Sequence, residues 1–229
     1  MLLSKWEELP SYMQNEEVRH YYNILQSKKT SLFFKRVIDI VLSIIIILLL
    51  IIPIIVIAIS IKVSSKGKVM FKQTRITTLG KEFKILKFRT MVENAESIGE
   101  QITQINDNRI TKNGEFLRKY RLDELPQIFN VFLGQMSLVG TRPEVPKYVN
   151  MYTDKMYATL LMPAGVTSLA SIKFKDESEF FDENMSVDDN YMFVILPKKM
   201  EENLNYIEKF SVLYDIKLLF KTATNVLKD

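Results

Sequence analysis

The sequence predicts an α+β fold: a helix-rich protein with one N-terminal hydrophobic helix embedded in a membrane and a small β-hairpin beside a group of helices. Three observations lead there. From Ile40 to Ile61 the chain is apolar for roughly 22 residues, about the length that spans a bilayer core. Val69–Phe88 alternates apolar and polar residues on both sides of Leu79-Gly80, the pattern of a hairpin. Between Leu204 and Lys228, the residues Leu213, Ile216, Leu219, Phe220, Ala223, Val226 and Leu227 recur at helical spacing.

Composition narrows the chemistry. With 229 residues the chain is long enough for one domain, or for one domain and an appendage. It has no cysteine, which removes disulfides, thiolate metal sites and thiol nucleophiles. Its only histidine, His20, lies in a charged N-terminal stretch, so a histidine metal site or a histidine-dependent triad is not available. Any metal would be a hard ion held by carboxylate and phosphate oxygens. The net charge of +4 suits an anionic partner such as lipid, phosphate or nucleic acid.

Residues 1–30 read as a polar N-terminal arm, a short helix or a surface segment, with aromatics at Trp6, Tyr12, Tyr21 and Tyr22. Met1-Leu2-Leu3 is too short for the core of a signal peptide. Residues 31–66 read as a membrane-embedded helix, entered through Lys35 and Arg36. Spanning is the default for such a run, but two features point elsewhere. Pro53 removes a backbone hydrogen bond in mid-run and is expected to break the helix. The far flank, with Lys62, Lys66, Lys68 and Lys72, is as basic as the near one, so charge gives no direction across the membrane. A re-entrant helix, entering and leaving by one face, would put both flanks on the same side. Backbone freed at that depth needs a partner, and Ser43 is a candidate. Asp39, at the membrane edge, is expected to pair with Lys35 or Arg36.

Residues 67–229 then form a single further domain. The hairpin over Val69–Phe88 carries Lys72, Gln73, Arg75, Lys84 and Lys87, a solvated basic face or a surface for phosphate. Residues 92–108 are polar, helix-prone and then loop-like, and Asn113-Gly114 reads as a turn. A helix is expected to open near Leu125-Pro126 and to stop at Gly134. Residues 137–144 give a strand-like stub and a rigid turn, 145–160 look helical, and Met162–Ile172 reads as a loop of small residues. The acidic run at 173–192, which includes Asp176, Glu177, Glu179, Asp182, Glu183, Asp188 and Asp189, is expected to be a solvated face. The last helix is expected to pack its apolar face on the core rather than lie in the membrane interface.

The chemistry concentrates between Arg118 and Glu144. Asp123-Glu124 lies among Arg118, Arg121 and, further on, Arg142. Two adjacent carboxylates among cations can hold Mg²⁺, be balanced structurally by the arginines, or supply a nucleophile to an electrophilic phosphorus. Asp-Glu before Leu-Pro can also simply open a helix, since acids suit its N-terminus and proline its first turn.

Further motifs surround this stretch in order: K-R-V-I-D-I at 35–40, F-K-Q-T-R at 71–75, K-F-R-T-M at 87–91, R-I-T-K-N-G-E-F-L-R-K at 109–119, D-E-L-P-Q-I-F-N-V at 123–131 and G-Q-M-S-L-V-G-T-R-P-E at 134–144. Together they resemble the bacterial sugar transferase family, the small monotopic phosphoglycosyl transferases, strongly over residues 33 to 172. The resemblance implies transfer of a sugar 1-phosphate from a UDP-sugar to undecaprenyl phosphate, with release of UMP, as a membrane step of glycan assembly. It implies Asp123 as the nucleophile that becomes an aspartyl-phosphosugar and Glu124 as the catalytic acid that holds Mg²⁺. Arg118, Arg142, Pro143, Arg89, Arg75 and Gln127 are implied as the substrate-binding set. Pro53 matches the helix-breaking proline of a re-entrant membrane helix, which implies a catalytic domain on the cytoplasmic face of the bacterial membrane, against anionic lipid. The chain departs from the family pattern at Thr141, where proline is usual, and at Ser168, where glycine is usual; the serine narrows the freedom of that loop.

Two other functions compete. A catalytically silent membrane-tethered scaffold would tolerate loss of either acid of the dyad, and both are present. A nucleic-acid binder would suit the charge, but no zinc site, helix-turn-helix or aromatic RNA motif supports it. The identity of the sugar and the oligomeric state, a homodimer included, stay open.

Overall fold

The computed structural model describes residues 3–95, 107–174, 180–182 and 184–227. Of the segments read above, most of 92–108 and the acids Asp176, Glu177, Glu179 and Glu183 lie outside the described residues, as do the side chains of Val226 and Leu227.

The chain opens with two short 3-10 turns, Trp6–Glu8 and Ser11–Met13, and helix α1 (Glu16–Ser27). The Asn15 side chain accepts the Val18 amide, and two glutamates occupy the first turn, so α1 has a well-made start. Val18, Tyr21, Tyr22 and Leu25 are buried, and with Leu9 and Met13 they enter the main hydrophobic core. The segment expected as a polar arm is therefore part of the folded body. Its polar residues cover one side of an amphipathic helix whose other side is apolar.

Helix α2 (Lys29–Ser64) carries the apolar run over 36 residues, about 54 Å at the usual helical rise. It is the one helix among the described residues long and apolar enough to cross a membrane. The break expected at Pro53 does not occur: the proline sits inside an unbroken helix. The reason lies in packing on both sides of it. Leu42, Ile46 and Ile47 pack against one cluster, and Ile54, Ile57, Ala58 and Ile61 against another, so a single face of α2 rests on the protein along most of its length. Ser43 does not serve the backbone carbonyl freed by Pro53; its hydroxyl bonds the Ile40 carbonyl within its own turn of the helix. The opposite face exposes Leu48, Leu49, Ile52, Val56 and Ile59.

Both ends of α2 are tied to the same body. At the start, Lys35 Nζ bonds Asp215 Oδ2 and the Val139 carbonyl, each at 2.6 Å, and Arg36 donates to the carbonyls of Val131 and Phe132. Asp39 pairs with neither neighbouring cation; it accepts the Ser137 hydroxyl at 2.7 Å and the Leu138 amide at 3.0 Å. A strand 98 residues away, Met136–Val139, satisfies this carboxylate, which leaves Lys35 free to take Asp215. At the far end, Asn113 reaches Ser60 Oγ at 3.1 Å and Arg89 holds Ser65.

Strands β1 (Met70–Ile76) and β2 (Glu82–Phe88) form the expected antiparallel hairpin, with Gln73 opposite Ile85 and Phe71 opposite Lys87. Leu79 and Gly80 make the turn with left-handed φ of 59° and 73°. Alternation buries Phe83 and Ile85 in one cluster and turns Glu82 and Lys84 to the other face, on which Phe88, at the strand's end, is buried against Ile61 and Leu117. Helix α3 (Lys112–Lys119) takes in Asn113-Gly114, which sequence read as a turn. Thr111 caps it by accepting the Gly114 amide, and the Thr90 carbonyl presses so close to Gly114 that a Cβ would lie 1.9 Å from its oxygen. The glycine serves that contact, not a turn.

A 3-10 turn, Leu122–Glu124, leads into helix α4 (Gln127–Phe132), which ends with Gly134 at φ 81°. Strand β3 (Met136–Val139) follows. It pairs in parallel with β4 (Ala164–Thr167), and α5 (Leu169–Lys173) comes next, so the segment read as a small-residue loop is a strand and a helix. Only small residues permit it: a Cβ on Gly165 would lie 2.2 Å from the Gly140 amide nitrogen. Between the strands, residues 145–160 hold only short helical pieces, Pro146–Val149 and Met156–Leu161. Helices α6 (Leu196–Lys209) and α7 (Val212–Leu227) close the chain as two elements, separated at Phe210 and Ser211. The apolar face of α7 is divided. Leu218 is buried in the core, while Leu213 and Phe220 are 79% and 69% exposed, so core packing accounts for only part of it.

Candidate active site

The turn that bears Asp123 and Glu124 begins at Arg121, whose φ of 52° and ψ of 24° are left-handed. A non-glycine residue in that region carries strain, and such strain persists where the surroundings enforce it. Here it reverses the chain after α3 and delivers two successive acids ahead of α4. The expectation that the dyad lies just before a helix is met, although α4 has only six residues.

Lys87, projecting from β2, reaches across and bonds Glu124 Oε1 at 2.6 Å. Burial alone would push the Glu124 carboxyl up. The charge and hydrogen bond of Lys87, followed by the charges of Arg142 and Arg121, overcome it and bring the pKa to about 2. Glu124 is therefore an anion at any physiological pH. Asp123 behaves in the opposite way. Burial dominates there, Lys87 opposes it less strongly, the neighbouring Glu124 anion adds to it, and Arg118 opposes; the pKa rises to about 6. Two adjacent carboxyls thus differ by four units, one permanently charged and one poised to take or lose a proton near neutrality.

A cavity of about 330 Å³ adjoins the dyad. Its charged end is lined by Glu124, Arg121 and Arg142, and its remaining walls by Leu125, Ile128, Leu138, Val166 and Ile172, by Ile46 and Leu50 of α2, and by Thr222 and Asn225 of α7. Arg142 is held toward it by a 3.0 Å bond from Nη1 to Ser171 Oγ. Ser171 is positioned in turn by Ser168, which caps α5 by accepting the Ser171 amide at 2.9 Å. Ser168 has φ −145°, ordinary extended backbone, so no glycine is needed at this position. Thr141 stands in the β3–β4 connection with its hydroxyl on the Thr159 carbonyl.

The residues anticipated from sequence divide into three groups. Asp123, Glu124, Arg118 and Arg142 come together. Pro143, Gln127 and Arg75 support them: Gln127 is buried in the first turn of α4, and Arg75 donates to the Pro143 carbonyl at 3.1 Å and lies 3.9 Å from Glu144, behind the Arg142 turn. Arg89 is elsewhere; it is buried at the end of α2, with Nη2 on the Ser65 carbonyl and hydroxyl. Arg121, named from sequence among the cations around the dyad, lines the cavity; Lys87, Ser171, Thr222 and Asn225 belong to the site and were not singled out for it. Lys87 had a signal in K-F-R-T-M, while the α7 residues had none, because only tertiary packing brings them here.

Among the described residues no three acidic or histidine side chains gather as a closed metal cage. The dyad nevertheless suits Mg²⁺ in company with a phosphate. Glu124 is ionised, its Oε2 takes no hydrogen bond among the described residues, and Mg²⁺ is commonly held by one or two carboxylates together with substrate oxygens.

Comparison with known proteins converges on one family. The family model described as bacterial sugar transferase matches residues 30–229. The chain is 35% identical over 199 residues to UDP-N-acetylgalactosamine-undecaprenyl-phosphate N-acetylgalactosaminephosphotransferase of Aeromonas hydrophila, covering 85% of this chain and 44% of that protein. It is 37% identical over 199 residues to UDP-glucose:undecaprenyl-phosphate glucose-1-phosphate transferase of Klebsiella pneumoniae (84% and 40%). It is 38% identical over 194 residues to the protein of the same name from Escherichia coli K12 (82% and 39%). The chain thus spans about two fifths of the length of these relatives.

Proposed function

Because this chain belongs to the bacterial sugar transferase family, we propose that it moves a sugar 1-phosphate from a UDP-sugar to undecaprenyl phosphate through a covalent intermediate on Asp123. The observation that carries the reading is the pair of opposed carboxyls, Glu124 lining the charged end of the cavity and Asp123 next to it in the same turn. In the first step an Asp123 carboxylate oxygen attacks the phosphorus that bears the sugar. The phosphoanhydride bond breaks, UMP leaves, and an aspartyl-phosphosugar remains. In the second step an oxygen of the lipid phosphate attacks the same phosphorus, the acyl-phosphate bond breaks, and Asp123 returns as a carboxylate with the lipid diphosphosugar as product.

A carboxylate approaching a diphosphate meets its negative charge. Arg118, Arg142 and Lys87 lower that repulsion. Burial of Asp123 strips water from its carboxylate and makes it a better nucleophile than an exposed aspartate. Glu124 would hold Mg²⁺ through Oε2 while Lys87 fixes its other oxygen; the bound ion would supply charge neutralisation at the phosphates. Arg75 and Ser171 keep the Arg142 turn in place.

For the membrane, the reading is that the unbroken α2 is immersed in one leaflet without crossing to the other side, with both flanks and the catalytic domain on the cytoplasmic face. Its support is that contacts near Lys35 and near Ser60 engage one body, which a straight spanning helix would divide between two sides of a bilayer.

The test is transfer from a panel of UDP-sugars to undecaprenyl phosphate in detergent, read as UMP release. Asp123→Asn should abolish turnover and leave membrane fractionation unchanged. Turnover by this variant at the wild-type rate would remove the nucleophile assignment.

A further inference from the structure

Helices α2 and α7 are pinned together at one point and part beyond it. The pin is the buried Lys35–Asp215 pair, which also takes the Tyr206 hydroxyl on Asp215 at 2.8 Å. From there both helices run the same way along the chain. Leu219 still packs in one cluster with Leu42 and Ile46. One to two turns further, Leu50 on α2 and Thr222 and Asn225 on α7 no longer close on each other; they line the cavity that ends at Glu124 and Arg142. Thr222 is engaged by Thr167, their hydroxyls 2.6 Å apart, whereas the Asn225 amide makes no hydrogen bond to the described residues.

The two ends of this cleft differ in kind. One is cationic and catalytic. The other is walled by the apolar helix itself, beside the exposed stripe of Leu48, Leu49 and Ile52. A nucleotide or sugar laid along Ile46, Leu50, Ile128 and Leu138 would leave most of its hydroxyls and amides unpaired, at a cost: of the polar groups that also line the cleft, Thr167 and Thr222 bond each other and Ser171 bonds Arg142 and Ser168. A hydrocarbon chain with an anionic head would not. Its tail can also stay in contact with the bilayer that receives α2, which a lipid substrate must do to avoid exposing apolar surface to water.

We propose that the cleft between α2 and α7 seats the first isoprene units of the lipid acceptor, with its phosphate directed to Arg142. This rests on the transferase reading above. It assigns Leu50 and Asn225 to acceptor binding, and places the donor's uridine and sugar outside the cleft.

The two half-reactions separate the possibilities. With a UDP-sugar alone, the first step gives a burst of UMP that needs no lipid. With undecaprenyl phosphate added, turnover gives a KM for the acceptor. Leu50→Trp and Asn225→Trp, which fill the cleft from opposite walls, should each raise that KM by about tenfold or more while the burst stays within about twofold of wild type. Leu48→Trp, on the outward stripe, should change neither. A burst that falls in both filling variants as far as transfer falls would assign the cleft to the donor and overturn the proposal. An unchanged KM in both would overturn it as well. A wild-type chain that releases no UMP from any UDP-sugar would instead overturn the transferase reading.

Discussion

Asp123 and Glu124 share a backbone and a set of cations but not an environment. Lys87 touches Glu124 and only influences Asp123, which is why one carboxyl sits near 2 and the other near 6. Because the folded pKa of Asp123 lies above its ordinary value of 3.8, its contribution to stability is complete below pH 3.8 and is lost as pH rises through about 6. At pH 7.5 the fold therefore carries an ionised Asp123 at a cost of about 3 kcal/mol. Asp123→Asn, neutral throughout, should melt several degrees higher at pH 7.5 even as it loses activity, as differential scanning fluorimetry in detergent would register. The rate of the first half-reaction should fall on the acid side with a midpoint near pH 6, and Mg²⁺ should move that limb to lower pH by favouring the carboxylate. A limb that stays below pH 4.5 without metal would contradict the burial argument. The dyad was legible in sequence because its acids and arginines are near neighbours in the chain. Lys87 was less so, because its role depends on the β1–β2 hairpin folding against α4 and on which face of β2 its register selects.

At the level of elements, legibility followed periodicity. The hairpin was readable because apolar and polar residues mix on both sides of the Leu79-Gly80 turn, most regularly over Glu82–Ile85. Strand β4 was not, because Met162–Ile172 is made of small residues whose value lies in close approach to Gly140, a feature with no period. The boundary between α6 and α7 was missed because apolar spacing continues across Ser211 while the helix does not. The pin between α2 and α7 was hidden for another reason: Lys35 and Asp215 lie 180 residues apart. Removing one member of a buried ion pair strands the other, typically at about 3–5 kcal/mol. Lys35→Met should accordingly lower the unfolding free energy by about 3 kcal/mol in a denaturant series, and Lys35→Met combined with Asp215→Leu should recover part of it. A Lys35→Met variant as stable as wild type would mean that the pair does not hold the two helices.

The molecule as a whole is a folded body resting along the inner face of one long apolar helix. Sequence gave the length of that helix but placed a break at Pro53; the packing of residues on both sides of the proline keeps it continuous. Because each end of α2 is bonded to the same body, cysteine substitutions at Lys28 and Lys66, chosen to flank the helix, should both be labelled from the cytoplasmic side by an impermeant maleimide. Labelling from opposite sides would require a spanning helix and a different fold around it. The covalent intermediate is the claim on which the account most depends. The most direct measurement is intact-protein and peptide mass spectrometry after mixing the full chain with a UDP-sugar, Mg²⁺ and no lipid acceptor. The account predicts a mass increase of one sugar phosphate on the peptide that contains Asp123, matched by one equivalent of UMP and discharged when undecaprenyl phosphate is added. UMP release with no adduct, or an adduct on any other residue, would contradict it.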